Sequence, residues 1–266
     1  MFEEMKLPYH IVVEEQEYEE YCAVIDRKKV LILPNEYKEN YDTFWKRDAS
    51  NRCGSGAARN FCWDHSVKNG FARHWIFDDN IDRVIRFNHN RKIKCVVPTP
   101  LRIIEDFVLR YENVAIAGMG YAIFCPADES RPPMRLNTRI YSDLLIRNDI
   151  PYRWRGLYNE DTDLCLRALK DGWVTIEFNA FLIDKLSTQK IKGGNTDELY
   201  KDGTKSKSQM LVDMHPDVTK MIFQYGRWHH KVDYRRFKGN KLIRKQGIEI
   251  PTGINNYGME LYEEEK

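Results

Sequence analysis

The sequence predicts an α/β fold with a parallel sheet, and three observations carry that prediction. Two short β-branched runs, Ile11–Val13 and Val30–Leu33, flank a charged segment. In it Tyr18, Tyr21, Cys22 and Ile25 fall at helical spacing, which makes a strand–helix–strand unit. An apolar strand, Trp75–Phe77, runs straight into Asp78-Asp79-Asn80. A helix with an apolar stripe starts near Asn159 and leads into another strand at Trp173–Phe178.

Taken in order, the first strand ends at Glu14 and the second stops at Pro34, which has no N–H for a ladder. The run GSGAARNFCWDHSVKNGF reads as a Gly/Ser loop feeding a helix, with Ala57, Phe61 and Asp64–His65 at helical spacing and Gly70 closing it. Cys95–Val97, Val114–Ile116 and Tyr121–Phe124 are further predicted strands. In the second half Asn159 is the expected N-cap, with Glu160 and Asp161 in the first turn, where the helix dipole favours negative charge. Leu164, Cys165, Ala168 and Leu169 form the stripe and Gly172 ends the helix. Residues 190–208 read as a long polar loop, of the kind that often serves as a lid. A basic, aromatic-rich stretch follows, and the acidic EEEK end is expected to fray. No repeat or linker interrupts the chain, so residues 1–266 are expected to form one domain.

Composition narrows the function. With 42% hydrophobic and 31% charged residues the chain fits a globular protein and excludes collagen-like, coiled-coil and disordered classes. Its 42 basic and 40 acidic residues nearly cancel, so any nucleic-acid contact must come from a local patch. No apolar run approaches the ~20 residues of a spanning helix, and the acidic MFEEMKLPYH start lacks the marks of a signal peptide. The six cysteines form no CxxC pair and sit beside apolar residues, as reduced, buried thiols do. A cytoplasmic location and no membrane partner are expected.

Four groups carry candidate chemistry. Asp78, Asp79 and Asn80 are oxygen ligands at a strand end, suited to a hard cation such as Mg²⁺ or Mn²⁺, or simply to a turn. Asn159, Glu160, Asp161 and Asp163 are either capping groups or the source of a general base. Arg59 and Asn60, at a helix start, favour an anion. Between Arg227 and Lys245 eight lysines and arginines stand against the single acid Asp233, with Trp228, Tyr234 and Phe237 interleaved. That pattern suits phosphates and exposed bases, or a solvated basic face. His215, His229 and His230 could complete a metal site or serve structurally.

The ordered set IVVEEQEYEEY, AARNFCWDHS, WIFDDNID, WRGLYNEDTDLCLRALKDGW, HPDVTK and GRWHHKVDY, spanning Ile11 to Phe237, resembles the TET-associated glycosyltransferases. The resemblance implies a GT-A-like fold: a Rossmann-type donor half over about 8–125, an acceptor half over about 126–245, and a mixed, mostly parallel sheet flanked by helices. It implies an enzyme, found mainly in bacteriophages, that moves a sugar from a UDP-sugar to hydroxymethylated pyrimidine in DNA, 5-hydroxymethylcytosine above all. On this likeness Val13 and Glu14 hold the uracil and ribose of the donor, and Arg59, Asn60 and Asp78 face its diphosphate. Asp78, Asp79 and Asn80 hold Mn²⁺ or Mg²⁺, with Asn80 standing where the usual motif has its last carboxylate. Asp161 is the base of an inverting transfer and Glu160 its neighbour on acceptor or sugar hydroxyls. His215 or His229 completes the metal shell, and Arg155, Arg227, Trp228 and His230 meet the acceptor.

Overall fold

The computed structural model describes residues 1–45, 53–88, 90–126, 132–185 and 204–249, with the two-residue strands at 253–254 and 260–261. The chain opens with β1 (Ile11–Val13), a short 3₁₀ turn, α1 (Tyr18–Cys22), β2 (Val30–Ile32) and α2 (Asn35–Glu39). β1 and β2 pair in parallel, as the strand–helix–strand reading predicts, although the helix between them is only five residues long. Next come α3 (Gly56–Lys68), β3 (Arg73–Phe77), β4 (Ile81–Asn88), β5 (Arg91–Cys95), α4 (Thr99–Leu109) and β6 (Val114–Tyr121). They are followed by β7 (Met134–Leu136), β8 (Asp143–Arg147), α5 (Glu160–Lys170), β9 (Val174–Lys185) and α6 (Lys205–Met214). A hairpin of β10 (Thr219–Gln224) and β11 (Arg227–Val232), then β12 (Gly253–Ile254) and β13 (Glu260–Leu261), complete the order.

Seven strands make the central sheet, in the order β3-β8-β6-β9-β4-β5 with β7 alongside β9. The fold is mixed α/β, but the sheet corrects one expectation. In it only β6 and β9 pair in parallel; the other described pairings are antiparallel. The reason lies in the connections. The chain from β6 to β9 contains the helix α5, whereas β4 and β5 are joined by a tight turn with Asn90 at φ 60°.

Alternation along the strands feeds two cores. Leu145 of β8 points to a layer with Leu101, Ile104 and Val108 of α4. Its neighbours Leu144 and Ile146 point to the opposite layer with Trp63 of α3 and Leu164, Cys165 and Ala168 of α5. In β6, Gly118 allows a close approach: a Cβ there would lie 2.2 Å from the carbonyl oxygen of Asp143. Three other expectations shift. Cys95 ends a strand instead of starting one, because Pro98 opens α4. The run predicted as a strand at Tyr121–Phe124 ends β6 and turns into a 3₁₀ helix. Of the predicted loop at 190–208, residues 190–203 lie outside the described residues, as does the EEEK end, and Lys205 already begins α6. Among the described residues no helix is long and apolar enough to cross a membrane.

Candidate active site

Two acidic clusters far apart in sequence meet across one arginine. Asp78 directly follows β3, and its N–H donates to the carbonyl of Ser142 at 2.8 Å. Glu160 opens α5. Arg59, on the second turn of α3, donates to Asp78 Oδ1 at 2.7 Å and to Glu160 Oε1 at 3.0 Å. Its guanidinium lies 4.7 Å from the centre of the Trp154 ring. Ser55 adds a 2.8 Å hydrogen bond to the same Glu160 oxygen. Arg59 therefore sits between carboxylates at the wall of the cleft, with its side chain only 10% exposed.

A second cation completes the cluster. Lys185, the last residue of β9, places Nζ 3.5 Å from Asp78 Oδ2 and donates to Ser142 Oγ at 2.8 Å. The same ammonium is 5.2 Å from the centre of the Tyr121 ring, and the Tyr121 and Ser142 hydroxyls are hydrogen-bonded. Ser142 has φ 72°, a left-handed conformation that a serine adopts at some cost.

Burial works to raise the Asp78 carboxyl, but Arg59, Ser142 and Lys185 outweigh it and hold it below the usual range. Glu160 goes the other way. Burial raises it, the adjacent Asp161 adds to that, and Arg59 opposes without prevailing. Asp161 accepts from the N–H of Thr162 at 2.6 Å and from its hydroxyl at 3.2 Å.

A cleft of ≈2890 Å³ contains these groups. Val12 and Glu14 line it at one side, with Asp78, Asp79, Asn80 and Lys185. Glu160, Asp161, Arg139 and Tyr141 line it too, together with Arg227, His229 and His230 of the hairpin. Arg139 stacks 4.7 Å over Tyr141. Burial, reinforced by Arg139, Lys207 and His229, pushes the His230 imidazole down to about 4, so it is neutral at pH 7.

Several predicted site residues sit elsewhere. Val13 is buried at 4% exposure and does not line the cleft, whereas its neighbours Ile11, Val12 and Glu14 do. The Asn60 amide is taken up by the backbone of Trp154, donating at 3.0 Å and accepting at 2.9 Å. His215 is 2% exposed and bonds Asp163 at 2.9 Å, outside the cleft. Arg155 also belongs to Asp163, at 3.0 Å. Trp228 packs edge-on against Phe223 and does not line the cleft. Asn159 holds the N-cap position at φ 54°, but its side chain donates to the Lys207 carbonyl at 2.7 Å instead of capping. Lys185, Ser142, Arg139, Tyr121 and Tyr141 went unread in the sequence, because each reaches the site by a long-range contact.

The donor set does not fit a divalent ion held by protein ligands. Asp78 already lies between two cations, at 2.7 and 3.5 Å. At an effective dielectric of ~20, unit charges 4 Å apart interact by ~4 kcal/mol, so Arg59 and Lys185 offset the attraction Asp78 would offer a third cation. Among the described residues no three His, Cys, Asp or Glu side chains group as metal ligands. His215 is committed to Asp163, and His229 to the Gln224 carbonyl at 3.1 Å.

Carboxylates and cations gathered at strand ends of an α/β sheet are the layout of an enzyme acting on an anionic ligand. The family comparison agrees and goes further. The model of the TET-associated glycosyltransferases matches residues 1–194, and the chain belongs to that family. The protein is accordingly a glycosyltransferase. No curated protein and no solved structure matches it.

Proposed function

We propose that the protein transfers a sugar from a UDP-sugar to the hydroxymethyl group of a modified pyrimidine, 5-hydroxymethylcytosine, in bacteriophage DNA. The observation that supports this best is the division of labour in α5. Glu160 is held by Arg59 and Ser55, whereas Asp161 lines the cleft beside Arg139 and Tyr141. Asp161 is the general base. The acceptor oxygen loses its proton to Asp161 and bonds to the anomeric carbon. The bond from that carbon to the diphosphate oxygen breaks, and its electron pair leaves with the diphosphate. Attack opposite the leaving group inverts the configuration, through a transition state of oxocarbenium character.

Val12 and Glu14, with Tyr21 beside them in the cleft, supply a wall for the nucleoside. The acceptor side falls to the β10–β11 hairpin, whose fourteen residues (Thr219 to Val232) include Lys220, Arg227 and Lys231 and no carboxylate. Phe223 and Tyr225 are exposed on it. Cations there attract phosphates and aromatics stack on bases, which suits a base drawn out of a duplex.

The test is intact-mass analysis of short duplexes carrying hydroxymethylcytosine or hydroxymethyluracil. Each is incubated with a panel of UDP-sugars, both with Mn²⁺ and with EDTA, beside Asp161→Asn. A pentose or hexose mass gain with the wild type alone is expected. UDP release with no gain on any duplex would move the acceptor away from DNA, and retained anomeric configuration would overturn the inverting mechanism.

A further inference from the structure

We propose that Lys185 is the residue that takes up the charge of the departing diphosphate, in the place a divalent metal ion would occupy. The inference rests on the UDP-sugar reading above and assigns a cation to that site. Three observations carry it. Lys185 stands at the carboxyl end of β9, inside the cleft and within 3.5 Å of Asp78. Its ammonium is held from two sides, by Asp78 and by a 2.8 Å bond to Ser142. An ammonium has three N–H donors, so these two partners leave one for a phosphate oxygen. Ser142 is the third observation. It holds a left-handed φ of 72°, and from it the hydroxyl meets Lys185 while the carbonyl meets the Asp78 N–H. Strained backbone that fixes both the carboxylate and the lysine belongs to a built site.

At Asp78 one carboxylate faces two cations, Arg59 and Lys185, and Arg59 is shared with Glu160. Arg59 is locked between both carboxylates and against Trp154, so of the two cations paired with Asp78 Lys185 is the one able to turn toward a ligand. As the bond between the anomeric carbon and the diphosphate oxygen breaks, that oxygen gains the electron pair. Lys185 keeps its proton throughout and stabilises the new charge electrostatically.

Calorimetric titration of the full chain with UDP, and separately with uridine, tests the assignment. UDP affinity in EDTA is expected to lie within twofold of that in Mn²⁺. Lys185→Gln is expected to weaken UDP at least tenfold, leave uridine unchanged and keep the wild-type melting profile. Lys185→Arg should restore most of the loss. UDP binding that appears only with Mn²⁺ would overturn the role of Lys185 while keeping the donor reading. An equal loss for UDP and uridine in Lys185→Gln would also overturn it, marking Lys185 as structural. Absence of UDP binding in both buffers would overturn the donor reading, and this inference with it.

Discussion

Asp78 and Asp163 are both aspartates surrounded by cations, yet they sit in opposite settings. Asp163 is 0% exposed and bonds Arg155, Arg167 and His215 at 3.0, 2.8 and 2.9 Å, outside the cleft. Asp78 is 24% exposed and faces the cleft with Arg59 and Lys185. In both, burial alone would raise the carboxyl, and in both the surrounding donors hold it down. What separates them is access. A sealed cluster can only fasten elements together, whereas an open one can exchange a partner for a ligand.

Substitutions can break or sharpen that contrast. Asp163→Ala should have the largest effect on stability, lowering it by ~3–5 kcal/mol, because it removes the one acceptor shared by two half-buried arginines and the buried His215. Urea denaturation reads this directly, and a loss under 1 kcal/mol would mean the cluster is not structural. Asp161→Asn should fold normally and lose between ~10² and ~10⁴ in kcat, with KM for the donor little changed. Steady-state kinetics with a retained rate would remove it as the base.

Asp78→Asn should cost ~1–3 kcal/mol, less than Asp163→Ala, since Arg59 keeps Glu160. Equal losses at the two sites would erase the distinction. Asp143 gives a smaller, pH-dependent contrast. It is 0% exposed, its Oδ2 accepts from the Met119 N–H at 2.7 Å, and no cation pairs with it among the described residues. Burial therefore pushes its carboxyl well above the usual range. A raised folded-state value gives stability that is full at low pH and lost as pH rises through that value. Asp143→Asn should thus gain on the wild type in thermal melts as pH rises from 5 to 8, and a flat difference would contradict this. Arg227→Ala should have the smallest effect, reducing the salt slope of DNA binding by ~0.9 with no change in UDP affinity.

The legible parts of the fold were local. β1 and β2 were visible as β-branched runs, α3 as a helix closed near Gly70 (φ 77°), and α5 by its apolar stripe and Gly172 (φ 86°). Strand order was hidden. β5 reads RKIKC, mostly charged, because it lies at the sheet edge with four of its five residues exposed. In the site, the residue types flanking Asp78 and Glu160 pointed to chemistry. Their joining through Arg59 did not, since it spans 101 positions of sequence. Lys185 looks like an ordinary solvated lysine, beyond the strand predicted at Trp173–Phe178, until β9 is laid beside β6 and β4. His215 misled because a histidine near an acidic helix is as suited to fastening as to ligation, and only its 2% exposure decides.

Gly118 has a bearing on how such a chain can diverge. The clearance it leaves beside the Asp143 carbonyl lets β6 close on the residue next to Ser142, which in turn steadies Asp78 and Lys185. In a library of random variants this position would return glycine alone, even though it touches no ligand and carries no functional group.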